Sequence, residues 1–207
     1  WSRGQVPSSA RTRLADGVMA SLARLATEVS PRENAGTALP LTPMQEGMLY
    51  HHLRVGRRSE DPYVSQIALE LTGRLDPEAL ARAWQLAASR HETLRASFHW
   101  EDAPQPYQRI APDVTIPIAH HAIEDSELDA LMTAIRAEGF DVSRPPLARI
   151  DLARTGERRW VMVFTHHHLL LDGWSLPHVL ETVFAAYESL VRGEDVAAAL
   201  GVSAPCS

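Results

Sequence analysis

Three consecutive histidines, His166-His167-His168, end an apolar run from Trp160 to Thr165 and precede Leu169-Leu170-Leu171, Asp172-Gly173 and Trp174-Ser175. Imidazole titrates near neutral pH, so it can take up or release a proton there, and a nearby carboxylate can orient it. Strand alternation would put His166 and His168 on one face and His167 on the other. Asp172-Gly173 suits a tight turn, because glycine tolerates positive φ and lets a backbone or ligand come close. Three chemistries stay open on spacing alone. The histidines can be ordinary polar residues at a strand end. They can be metal ligands, His166 and His168 joined by Asp172, although a strand followed by a loop is not a recognised zinc pattern. They can serve general acid–base catalysis.

Elements on either side must hold this stretch. Trp160 to Thr165 reads as a strand, paired with Leu147 to Leu152 across a Thr155-Gly156 turn. Leu176, Val179, Leu180, Val183, Phe184, Tyr187 and Val191 recur at helical spacing, with Ser175 as the expected cap and Pro177 in the first turn. Thr42 and Gln45 flank Pro43 as a capping box, so a helix is expected from Thr42. A strand is expected over 63–72. A helix begins at Asp76-Pro77-Glu78, with an apolar stripe of Leu80, Ala83, Trp84 and Ala87. Strands are expected over Leu94 to Trp100, Tyr107 to Ile110 and 114–119. A helix carries Leu128, Leu131, Met132 and Ile135, and Gly139 stops it. Helices and strands interleave without internal repeats, which predicts an α/β layered fold with a mixed sheet and flanking helices. Residues 1–38 read as an interdomain linker or docking helix: Leu14, Val18, Leu22 and Leu25 have helical spacing, and Pro31 to Gly36 reads as linker.

Composition narrows the function. The 207 residues suit one sizeable core or one lobe of a larger enzyme. Acidic residues number 26 and basic residues 20, a net charge of −6, with no basic run; nucleic acid is a poor partner for such a chain. All basic residues are arginine, which excludes a lysine Schiff base and a phosphate-binding loop ending in Lys-Ser/Thr. The single cysteine, Cys206, leaves no internal disulfide or cysteine-based zinc site. No apolar run approaches the ~20 residues a membrane span needs, and Trp1-Ser2-Arg3-Gly4 starts no signal-peptide core, so a cytoplasmic location is expected. The missing initiator methionine reads as a piece of a longer chain.

His167-His168-Leu169-Leu170-Leu171-Asp172-Gly173 resembles the His-His-x-x-x-Asp-Gly signature of the condensation domains of nonribosomal peptide synthetases. Leu41 to His51, with Thr42-Pro43-Met44-Gln45-Glu46-Gly47, is similar to that family's opening motif. Arg90-His91-Glu92-Thr93-Leu94-Arg95-Ala96-Ser97-Phe98 is similar to its second. The likeness covers roughly residues 39–196. It implies a chloramphenicol acetyltransferase-like lobe over 39–207, the N-terminal of two that face each other across a tunnel. The C-terminal lobe is absent, so this lobe alone is expected to be inactive. The activity implied is amide formation between a carrier-bound donor thioester and a carrier-bound acceptor amine. No metal or soluble cofactor is implied; phosphopantetheine arrives on the donor and acceptor carrier proteins. Neighbouring synthetase modules are the other implied partners. The uncovered inter-lobe face is expected to favour self-association.

The resemblance assigns the site to His168, His167, Asp172 and Gly173. His168 is the catalytic residue it implies, as general base or as a group that positions the amine or stabilises the charged intermediate. His167 is expected to be mainly structural and His166 incidental. Asp172 is expected to salt-bridge Arg95, a support of the active-site loop. Gly173 would let substrate or a backbone N–H approach, Trp174 is expected in the core or tunnel wall, and Ser175 is a substrate-tunnel candidate. His51-His52 reads as helix-terminal charge, and His120-His121 has no partner in view. The arginines at 57, 58, 158 and 159 read as solvated, with an acidic carrier protein as the alternative. Two other functions stay open. One is a coenzyme A-dependent acyltransferase of the same superfamily; the other is a non-catalytic docking fragment.

Overall fold

The computed structural model describes residues 36–55, 61–101, 103–196 and 200. Helical spacing over Leu14 to Leu25, Arg57-Arg58 and Cys206 fall outside them.

A four-stranded mixed sheet carries the site. Its order is β2 (Val64–Thr72), β7 (Arg159–His167), β6 (Ala148–Arg154), β5 (Ile118–Ala122). The first three strands are antiparallel neighbours and β5 runs parallel to β6. A smaller antiparallel sheet is ordered β1 (Thr37–Pro40), β4 (Tyr107–Ile110), β3 (Ala96–His99). The helices are α1 (Pro43–Val55), α2 (Pro77–Arg90), α3 (Leu128–Ala137) and α4 (Ser175–Arg192).

β7 is buried on both faces, which is why it reads as a continuous apolar run. Met162 and Phe164 turn to the main core. There Trp84 of α2 lies with its ring 4.8 Å from Phe164, and its Nε1 meets Met162 Sδ at 3.5 Å. Val179, Val183 and Ala186 of α4 complete that layer. Val161 and Val163 turn to the other face and pack with Leu128, Leu131 and Met132 of α3. The helix starts follow capping chemistry. Asp76 accepts the N–H groups of Glu78 and Ala79 ahead of Pro77. Thr42 and Gln45 form the reciprocal capping box. Gly139 ends α3 at φ +60°, and Arg149 caps the preceding carbonyls of Ile135 and Gly139.

Several expectations shift. The strand expected at 114–119 begins at Ile118, because Gln85 takes both the N–H and the carbonyl of Ile116. The strand expected from Leu94 begins at Ala96, after a 3₁₀ turn over Glu92–Arg95 in which the Leu94 N–H bonds to the His91 carbonyl. The body opens with β1 at Thr37, not Leu39. Gly36, read as linker, is held against β4: a Cβ there would lie 1.6 Å from the Ile110 carbonyl oxygen. His121 does have a partner, Asp151, at 2.7 Å. Arg159 is tied to Glu70 at 2.7 Å and to Asp125. No helix among the described residues is long and apolar enough to cross a membrane.

Candidate active site

At the end of β7 the three histidines diverge as strand alternation requires. His166 stacks on Phe164, its ring centroid 4.8 Å away, and is 2% exposed. Its Nδ1 has no hydrogen-bond partner. Burial, reinforced by His168 and His167, pushes its imidazole down to about 4. His168 is exposed and edge-on to His166. His167 points the opposite way and is wholly buried.

The two motif histidines hold opposite tautomers. The Leu169 N–H donates to His167 Nδ1 at 3.1 Å. That nitrogen therefore keeps its lone pair, and the ring hydrogen sits on Nε2, which donates to Asp61 Oδ2 at 3.1 Å. His168 Nδ1 lies 2.7 Å from the Leu171 carbonyl, which only accepts. Its hydrogen is on Nδ1, so in the neutral ring the lone pair is on Nε2. Burial also pushes His167 down to about 4, although the Asp61 carboxylate pulls the other way.

The loop between the strand and α4 is anchored at each of its three carbonyls. Gln45 Nε2 of α1 donates to Leu169 O at 3.1 Å. Thr93 Oγ1 donates to Leu170 O. His168 itself holds Leu171 O. All three leucines are buried. Gln45 and Thr93 thus tie the other two sequence motifs to the histidine loop. Their place inside those motifs was the available signal; capping alone hid the second task of Gln45. His91 adds a further tie, Nε2 to Thr182 Oγ1 of α4 at 2.8 Å.

Asp172 and Arg95 do not meet. Arg95 Nη1 donates to the Pro112 carbonyl at 3.0 Å, and no ion pair joins it to Asp172 among the described residues. The Asp172 carboxylate is spent on the start of α4. It accepts the N–H groups of Trp174 (3.1 Å) and Ser175 (2.8 Å) and the Ser175 hydroxyl (2.7 Å). The Ser175 hydroxyl and N–H hold its carboxyl below the ordinary range. The helix N-terminus supplies the positive end the carboxylate needs. The cap expected of Ser175 is therefore made by Asp172, and Ser175 serves it.

Gly173 does not use positive φ; the described glycines that do are Gly73, Gly139 and Gly193. Apart from its chain neighbours, no atom of the described residues lies within 4 Å of where its Cβ would be. Trp174 is not core: it is 87% exposed beside the histidine loop.

The metal-ligand set open on spacing alone is not assembled: Asp172 is committed to the start of α4, and His166, His168 and Asp172 do not bring their ligand atoms together among the described residues. A different trio, His52, Asp61 and His167, places ligand atoms within 4.8 Å of one another. His52 Nδ1 lies 2.6 Å from Asp61 Oδ2. The His167 tautomer opposes a metal there: with Nδ1 accepting from Leu169, Nε2 carries a hydrogen and has no lone pair for an ion. Sequence reasoning misses His52 and Asp61 at this position; an aspartate ahead of Pro62-Tyr63 carries little local signal.

The family model "Condensation domain" matches residues 35–200. The chain belongs to the condensation domain family. A linear gramicidin synthase of Brevibacillus parabrevis is 39% identical over 165 residues, which is 76% of this chain and 2% of that protein. Bacitracin synthase 3 of Bacillus licheniformis is 34% identical over 162 residues, 75% of this chain and 2% of that one. The chain thus spans a small fraction of the length of these synthases. The first condensation domain of the calcium-dependent antibiotic synthetase, solved with a substrate analogue, superposes with a TM-score of 0.71 at 23% identity. It is covered to 42%, by 79% of this chain. The X-domain from teicoplanin biosynthesis, solved with OxyB, gives 0.67 at 28% identity, covering 80% of this chain and 35% of that one. The expected α/β lobe with a mixed sheet and flanking helices is the fold of these condensation domain structures.

Proposed function

We propose that this chain is the histidine-bearing N-terminal lobe of an amide-forming condensation domain of a peptide synthetase. In this reading His168 is the catalytic residue, and carrier-bound donor and acceptor groups meet at its exposed edge. The acceptor nitrogen attacks the carbonyl carbon of the donor thioester. His168 Nε2 accepts a hydrogen from that nitrogen, orienting it and taking its proton as the new C–N bond forms. The C–S bond then breaks, and the proton leaves with the thiol. The observation that carries this is the tautomer. The Leu171 carbonyl occupies Nδ1, so the neutral ring of this exposed residue carries its lone pair on Nε2.

His167 supports this reading by elimination, since its lone pair is used on Leu169 and its ring is buried. Asp172 holds the first turn of α4 and through it the end of the loop. Exposed Trp174 lies on the face a second lobe would cover. The phosphopantetheine arms belong to the carrier partners.

Mass spectrometry of the acceptor carrier, charged opposite a loaded donor carrier, tests the assignment. The chain joined to its C-terminal lobe is expected to form the amide, and His168→Ala in that enzyme to lose it. Amide formation at near-normal rate by His168→Ala would overturn the assignment. The likeness to an X-domain solved with OxyB favours a second reading, a lobe that docks a partner without chemistry. A joined chain that binds loaded carriers yet never forms amide would support that one.

A further inference from the structure

Asp61 lies outside all three motifs, yet it is wired to both motif histidines. Its side chain accepts three hydrogens from three directions. Oδ1 takes the Tyr63 N–H at 2.9 Å. Oδ2 takes His52 Nδ1–H at 2.6 Å and His167 Nε2–H at 3.1 Å. Burial alone would push this carboxyl up, but the Tyr63 N–H, His52 and His167 outweigh it and hold it below its ordinary value. An ionised carboxylate is the group suited to such a position, because it accepts without donating.

Two routes run from Asp61 to His168. The first passes through the side chain of His167. With Asp61 taking the Nε2 hydrogen, His167 Nδ1 is left free to accept from Leu169. That bond fixes the first residue of the loop whose last carbonyl, Leu171, sets the His168 tautomer. The second route is through backbone. Asp61 Oδ1 holds the Tyr63 N–H and its carbonyl holds the Val64 N–H at 3.2 Å. The Tyr63 carbonyl in turn accepts the His168 N–H at 2.8 Å.

We infer that Asp61 is a positioning residue for the reaction assigned above: it holds His167 as the Nε2–H tautomer and so keeps the histidine loop, and with it His168 Nε2, in the reactive arrangement. The inference rests on the reading of His168 as catalytic. His52 is the brace on the other side of the carboxylate, with its ring centroid 5.4 Å from that of His167.

Asp61→Asn is the test, because it keeps the size and removes the charge. An amide turned to accept from the histidines would direct its NH₂ at the Tyr63 N–H. Turned the other way, it would face both histidines with a donor. The His167 hydrogen would then move to Nδ1, against the Leu169 N–H. In the two-lobed enzyme kcat is expected to fall about 10- to 100-fold, as for other residues that orient a site through a neighbour. The KM for the acceptor carrier should change little.

Nitrogen-15 NMR of the histidine rings in the 207-residue chain supplies a readout that general destabilisation would not move. Wild type is expected to show His167 with hydrogen on Nε2 and His168 with hydrogen on Nδ1, and Asp61→Asn to move the His167 hydrogen to Nδ1. Unchanged tautomers with unchanged kcat in Asp61→Asn would overturn the inference while leaving His168 in place. Full activity in His168→Ala would instead overturn the catalytic reading, and the tautomer shift would still report on Asp61. Where Asp61→Asn does not fold, the wild-type spectrum decides: His167 with its hydrogen on Nδ1 ends the proposal.

Discussion

His167 and His168 are adjacent in the chain and identical in chemistry, yet they face opposite regions. One region is the closed pocket formed with α1 and the start of β2. There every polar atom of His167 has a partner and the ring is held neutral by burial. The other is the exposed edge of the histidine loop, where one ring nitrogen of His168 is bound to a carbonyl and the other has no hydrogen-bond partner among the described residues. A side chain with both nitrogens engaged can hold a structure. One with a single nitrogen engaged is oriented and still able to react. Function at this site is set by which neighbours consume a ring's hydrogen-bonding capacity.

Truncating each histidine in turn separates the two environments most strongly. His168→Ala is expected to cost two to four orders of magnitude in amide formation, the usual scale for a general base. The unfolding midpoint of the lobe should fall less than in His167→Ala, since the ring is exposed and only the Leu171 carbonyl loses its partner. His167→Ala should do the reverse in kind. It leaves the Leu169 N–H and the Asp61 carboxylate short of a partner inside the protein. A stability loss of about 1–3 kcal/mol for the unsatisfied group is expected, plus the cavity left by the ring. Urea titrations of the two variants measure both. Equal destabilisation would mean the two environments are not distinct.

Protonation probes the closed side without mutation. His166 and His167 are depressed from 6.5 to about 4 in the folded lobe. Below pH 6.5 the unfolded chain takes up protons that the native rings refuse, so stability is full above that pH and falls as pH drops towards 4. Burial lowers half-buried His91 and His99 in the same direction. Denaturation midpoints at about pH 7.5 and about pH 5 should therefore differ, and His167→Gln should flatten part of that slope. A midpoint independent of pH in this window would contradict the buried, neutral state of His167.

The smallest effect is expected at the far end of β7. Arg159 is exposed and pairs with Glu70 and Asp125, and surface pairs of this kind contribute little. Arg159→Ala should leave both transfer and the unfolding midpoint at wild-type values. A large loss there would mean that this end of the strand is coupled to the histidines.

Much of the lobe was legible because its signals are local. Capping at Thr42 and Asp76, the Gly139 stop and the apolar run of β7 each depend on residues within a few positions. Where the sequence misled, a group elsewhere had taken over a residue's expected partners. Gln85 captured Ile116 and delayed β5. The start of α4 captured Asp172, so the expected pairing with Arg95 does not form.

Local pattern is enough to deliver paired histidines from a strand into a loop opening a helix, with His166 and His168 on one face. That follows from a two-residue period, and no tertiary contact is needed to impose it. What each ring can do depends on partners distant in the chain. The tautomers rest on Asp61, the Leu169 N–H and the Leu171 carbonyl. Asp61 lies 106 residues from His167 in the chain, and chain folding alone brings it within hydrogen-bonding distance. Spacing along a strand sets direction; the hydrogen-bond partner at the end of that direction is chosen by the fold.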